Sequence, residues 1–173
     1  MGTKRTDGGD SAEFSGTAQV ASQDVKVPVA DLAVWDQVMS VISGRTTVHD
    51  ALGITVDEVS ADRVVLSVPV TDRVRQPFGL LHGGVSAVLA ESAASIGASM
   101  NVAPGKGVVG VELNASHLRG VSVGAITAVA TPIRRGRTLH VWEIVVTDDR
   151  GRDVCRCRCT LAVIDLPTTP PGE

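Results

Sequence analysis

The sequence predicts an α+β fold, a curved antiparallel sheet wrapped around one long central helix, with a short helix on its N-terminal side. Three observations carry this. Residues 83–100 form a run of small and apolar residues with helical character throughout. Strand-like runs rich in Val, Thr and Ile flank it, two before and four after. A helix apolar on nearly all sides must be covered on nearly all sides, and a sheet curling around it does this most simply. The 173 residues, 43% of them hydrophobic, suffice for one domain with a sizeable core.

Residues 1–28 are rich in Gly, Ser, Thr, Asp and Gln, with little apolar periodicity, and read as a disordered tail. Residues 29–166 then form the domain, and the Pro-rich 167–173 a C-terminal tail. Asp31 has the character of a helix N-cap. Leu32, Val34, Trp35, Val38, Met39 and Ile42 mark a short amphipathic helix that stops near Gly44. Strand-like runs follow at 53–60 and 63–70. In the second, Val64, Leu66, Val68 and Val70 alternate, and Ala61-Asp62 between the two reads as a tight turn. Beyond the central helix come 108–118, 121–134, 137–147 and 153–164. They are separated by Arg119-Gly120, Arg135-Gly136 and the Asp148–Gly151 turn. Such short links predict antiparallel neighbours.

The net charge of −3 gives no reason to expect nucleic acid, which selects a basic surface. No apolar run reaches membrane-spanning length without polar interruption. The expectation is a soluble, cytoplasmic protein with no nucleic-acid or membrane partner. Cys155, Cys157 and Cys159 alternate with Arg156 and Arg158. Residues two apart on a strand lie about 6.6 Å apart, too far to gather thiolates at about 2.3 Å from one zinc ion. The cysteines therefore read as small buried hydrophobes, with no metal.

The chemistry concentrates on the central helix. Glu91 is its one carboxylate, and a charge in such a run needs compensation or a task. The helix opens with His82-Gly83-Gly84, whose glycines permit close backbone approach. First-turn amides lack intrahelical partners and sit at the positive dipole end, which suits them to polarise a carbonyl. Glu91 lies eight residues beyond Gly83, about 12 Å along the axis. It cannot reach a carbonyl held at its own helix N-terminus. Two antiparallel copies would bring the Glu91 of one chain to the Gly83 of the other, so the spacing predicts a homodimer with two sites.

Ser95 is at i+4 from Glu91 and shares its face. Gly84, Ala87 and Val88 leave room for substrate along that stripe. Gln76, in the loop before the helix, carries an amide suited to a carbonyl. His82 serves either as acid or base, or as a fixer of the turn.

Gln76, His82-Gly83-Gly84, Glu91 and Ser95, in this element order, resemble the hotdog-fold acyl-CoA thioesterases. The likeness is to the 4-hydroxybenzoyl-CoA thioesterases with a helical glutamate and to the phenylacetate-pathway thioesterases. It covers roughly residues 53–164. The resemblance implies that Glu91 is the nucleophile or general base and that the Gly83 amide polarises the thioester carbonyl. It implies Gln76 assisting from Gly83's chain and Ser95 from Glu91's chain, where the family often has threonine. It also implies CoA as part of the substrate, no separate cofactor, and commonly a homotetramer. Arg134, Arg135, Arg137 and Thr138, clustered at one turn, are the candidates for the CoA phosphates; Arg119 and His117 are weaker ones. The expected reaction is hydrolysis of an aryl- or medium-chain acyl-CoA. An enoyl-CoA hydratase or dehydratase using His82 and Glu91, and a non-catalytic acyl-CoA binder, are the alternatives.

Overall fold

The structure, a computed structural model, describes residues 25–42 and 44–166. Helices α1 (Leu32–Ile42) and α2 (Val48–Leu52) precede strands β1 (Thr55–Val59) and β2 (Val64–Pro69). Helix α3 (Gly83–Ser99) follows, then β3 (Lys106–His117), β4 (Ala125–Arg135), β5 (Leu139–Asp148) and β6 (Asp153–Asp165). The six strands form one antiparallel sheet in the order β1-β2-β4-β5-β6-β3. Helix α3 packs against β2, β3, β4, β5 and β6, so the sheet wraps it as expected.

The packing follows from strand alternation. Val64, Leu66 and Val68 of β2, Ile126, Ala128 and Ala130 of β4, and Trp142, Ile144 and Val146 of β5 all point inward and are buried. On β6 the buried positions include Cys155, Cys157 and Cys159, with Arg156 and Arg158 outside, as the alternation predicted. Against this floor α3 presents Leu89, Ala90, Ala93, Ala94, Gly97 and Ala98. Gly97 is needed for its size. A Cβ there would lie 2.5 Å from the Trp142 indole.

One connection departs from expectation. The Arg119-Gly120 link does not make β3 and β4 neighbours: β3 pairs with β6 and β4 with β2. The segment between them instead passes under the start of α3. Leu81 N–H donates to Val121 O, the Arg75 guanidinium to Ser122 O, and Leu118 N–H to Val154 O. Its backbone groups are satisfied by these long-range partners rather than by a hairpin.

The N-terminal side differs in detail. Asp31 closes a 3-10 turn rather than capping α1, and its carboxylate accepts from Ala61 N–H at the β1–β2 turn. Helix α2 had no counterpart in the sequence reading, because five residues fall below any periodic window. It is fixed by its ends: the Asp50 carboxylate accepts from Thr47 N–H and Oγ1–H, and Gly53 follows at φ +72°. Most of the N-terminal stretch read as a tail (1–24), and the C-terminal one (167–173), lie outside the described residues. Residues 25–28 run beside β1, where Lys26 N–H donates to Asp57 O and Lys26 O accepts from Val59 N–H.

Beyond the C-terminal end of α3, one cluster ties three connections together. Arg135 Nη1 donates to Asp62 Oδ1 at 2.7 Å, to Asn101 Oδ1 and to Ala61 O. Asn101 in turn donates to Gly97 O and Ala61 O.

Two consequences are measurable. Gly97→Ala drives a methyl into Trp142 and is expected to destabilise the fold by about 1–3 kcal/mol, read from urea denaturation. Stability also falls on acidification. Arg152 and the Arg150 and Arg152 amides hold the Asp148 carboxyl down to about 2. Its contribution is full above the ordinary carboxylate range and is lost as pH falls toward 2. His140 is buried with Nδ1 unpartnered, and burial pushes its imidazole below the ordinary range. The unfolded chain therefore takes up that proton first, and stability starts to decline below the ordinary imidazole pKa. Urea midpoints measured against pH should show both limbs, and Asp148→Asn should flatten only the lower one.

Candidate active site

The start of α3 is held by its neighbours. His82 N–H donates to Val74 O, and His82 Nδ1 accepts from Gly84 N–H at 2.9 Å, so the side chain caps the helix. With Nδ1 an acceptor, the ring proton of the neutral imidazole sits on Nε2. Val85 N–H donates to His82 O. Among the described residues nothing accepts from the Gly83 N–H.

Gly83 lines a cleft of about 450 Å³, together with Gln76, Leu80, Ser86, His117 and Arg119, a size that suits a small-molecule group. Gln76 and Gly83 thus come together as the sequence reading expected. The Gln76 carbonyl accepts from Phe78 N–H at 2.7 Å, which turns the amide NH2 into the free end of the side chain. That end can donate to a carbonyl oxygen, as can the Gly83 N–H. The His117 ring packs on Gly83: a Cβ added there would lie 2.9 Å from Nε2. Glycine is thus required at 83 for the close approach of an imidazole as well as for access to the amide.

Glu91 is elsewhere. The apolar pattern suggested a buried acid, yet in the single chain Glu91 is exposed. Its carboxylate lies over Gly110 of β3, where an added Cβ would meet Oε1. The sheet covers most of α3 but leaves one stripe open, with Gly84 and Glu91 exposed and Ala87, Val88 and Ser95 half-buried. Ser95 shares this stripe with Glu91, at the spacing the sequence gives them. Beside it runs β3, an edge strand of 12 residues paired on one side only, with Val109 44% and Val111 56% exposed.

The basic turn is also elsewhere. Arg135 is engaged with Asp62 and Asn101 beyond the C-terminal end of α3, while the cleft opens at its N-terminal end. Arg134, Arg137 and Thr138 are exposed at that same turn. One chain therefore does not bring these four residues to the cleft.

The sequence reading missed Ser86 and gave His117 and Arg119 only a weak place as phosphate candidates. Ser86 was findable, because i+3 from Gly83 is the same helix face. His117 was not, because only the pairing of β3 with β6 brings the end of β3 to the helix start.

Residues 78–155 match the family model described as Thioesterase superfamily. A 1,4-dihydroxy-2-naphthoyl-CoA hydrolase from Listeria monocytogenes is 46% identical over 115 residues, which is 66% of this chain and 94% of the relative. The chain belongs to the thioesterase superfamily. A thioesterase of solved structure from Haemophilus influenzae superposes with a TM-score of 0.70 at 39% identity, over 79% of this chain and 94% of that one. The PaaI protein of Escherichia coli, from a phenylacetic acid degradation operon, superposes with a TM-score of 0.69. At 20% identity, over 78% of this chain and 95% of that one, it speaks for the fold alone. The architecture is thus the hotdog fold, and the protein is a thioester hydrolase.

The His82 cap makes a contribution to stability of its own. His82→Ala is expected to cost about 1 kcal/mol of stability, while His82→Asn, whose side chain also caps, should retain most of it. Urea denaturation of the two variants checks this.

Proposed function

We propose that this thioesterase hydrolyses an aryl- or medium-chain acyl-CoA at a site shared between two copies of the chain. The observation that carries the reading is a division of labour within one protomer. The free Gly83 amide and the Gln76 amide NH2 meet at the cleft, while Glu91 lies on the uncovered stripe of the same helix, about 12 Å away. Neither half suffices alone. A twofold mate packed antiparallel along that stripe supplies the missing half to each. The half-paired β3 supports such a mate, since a long apolar edge strand invites pairing with another chain. A homodimer is the minimum unit, and a homotetramer is a pair of such dimers.

In this arrangement the thioester oxygen accepts from Gly83 N–H and Gln76 Nε2. Negative charge developing on it is stabilised where donors are already fixed. The partner copy's carboxylate at position 91 acts as general base on a water, or attacks the carbonyl itself. In the first route, the water oxygen bonds to the carbonyl carbon, the C–S bond breaks, and CoA leaves as thiolate. The proton taken from water passes to the sulfur. Ser95, on the same stripe as Glu91, orients the carboxylate or the water.

The antiparallel arrangement also gives the basic turn a use. With one Glu91 over the other chain's Gly83, the rest of that α3 runs about 12 Å past it. The turn holding Arg134, Arg137 and Thr138 then approaches the cleft mouth of the opposite chain. There it meets Arg119 and can hold the CoA phosphates, while Arg135 braces the turn through Asp62. The Listeria relative's substrate favours an aryl acyl group. Hydration of an enoyl-CoA finds less support, because His82 Nδ1 is occupied as a cap.

Glu91→Gln keeps the size of the side chain and is expected to lower kcat for thiol release from acyl-CoA by at least about 10²-fold, with an unchanged elution volume. Wild-type turnover by this variant overturns the assignment. A hydroxyacyl product from 2-enoyl-CoA, with no free thiol, would favour hydration instead.

A further inference from the structure

Ser86 stands apart from the rest of α3. The buried residues of this helix are otherwise Val, Leu, Ala and Gly. Ser86 is 1% exposed and belongs to the cleft lining, alongside Gly83, Gln76 and His117. Among the described residues nothing donates to its Oγ or accepts from it. A helical serine ordinarily satisfies itself by bonding back to a carbonyl one turn earlier. Ser40 of α1 does this, donating to Gln37 O at 2.8 Å. Ser86 does not.

The Ser86 Oγ is not among the sealed, unpaired atoms of the interior, which are Arg75 Nε, His140 Nδ1 and Trp142 Nε1, so the hydroxyl is open to the cleft it lines. Alanine is the better helix former. It would also match Ala87, Ala90, Ala93 and Ala94 around it. The position of the hydroxyl gives it a use. Side chains on a helix lean toward its N-terminus and cover the preceding turn. Ser86, three residues after Gly83, therefore leans toward the Gly83 amide, which is itself unbonded.

We infer that the Ser86 hydroxyl is a further donor to the thioester oxygen, completing with Gly83 N–H and Gln76 Nε2 a three-point cradle for the charge that develops there. The inference rests on the hydrolysis reading above. It assigns no new bond-making step: Ser86 keeps its proton throughout, and the leaving sulfur receives the proton taken from water. The donor matters most when the oxygen is anionic, so its removal acts on kcat more than on KM.

The test compares full-length wild type with Ser86→Ala and Ser86→Cys in thiol release over a panel of aryl- and medium-chain acyl-CoA substrates, together with thermal melting. The expected result is a fall in kcat of about 10- to 100-fold in both variants, with KM changed less than about threefold and the Tm of Ser86→Ala equal to or above that of wild type. A serine that merely supports the fold would give the reverse, a lower Tm with kcat retained, and that result overturns the inference. So does a kcat loss that scales with lost stability. If wild type releases no thiol from any member of the panel, the hydrolysis reading fails and this inference with it. If wild type turns over and Ser86→Ala matches it, only the inference fails.

Discussion

The closeness of α3 to the sheet is the constraint on which everything else depends. The helix seats directly on the inward side chains of five strands because its buried face is built from Ala90, Ala93, Ala94, Gly97 and Ala98, with Leu89 as the one large residue among them. Interiors are packed to crystal-like density, so this small-residue face fixes the depth and rotation of the helix together. Trp142 fills the space that Gly97 concedes. Once the rotation is fixed, the rest follows. Gly83 and Ser86 face the cleft, and Glu91 and Ser95 lie on the stripe that the sheet does not reach.

Much of this was legible in the sequence, for physical reasons. Period-two alternation in β2 and β6 fixed which side chains point inward, and the Cys-Arg-Cys-Arg-Cys run reads the same way in the structure. The element order implied a sheet closing round a helix. The pairing of β3 did not show in the sequence, because a short link ordinarily signals a hairpin. Here Leu81 N–H and the Arg75 guanidinium pull the segment after β3 under the helix start instead. A local turn signal carries no information about partners that lie some forty residues away.

Site residues divide along the same line. Gly83 and Gln76 were legible because they are close in sequence and share a loop-to-helix junction. The environment of Glu91 was not. An apolar helix suggests burial, and only the finite width of the sheet leaves one stripe uncovered. The arginine-rich turn looked like a single cluster, yet Arg135 is spent on Asp62 and Asn101 while Arg137 is exposed. Composition reports that cations are present and says nothing about which are already engaged.

The pairing of β3 with β6 has a consequence for how the chain is made. Strand β3 lies mid-chain, but its place at the sheet margin exists only once β6, the last of the six strands, has been laid beside β5. A growing polypeptide therefore has no finished margin on this side of the sheet until β6 has been made. Products that stop short of residue 153 lack the strand that seats β3, and the margin cannot take shape on them.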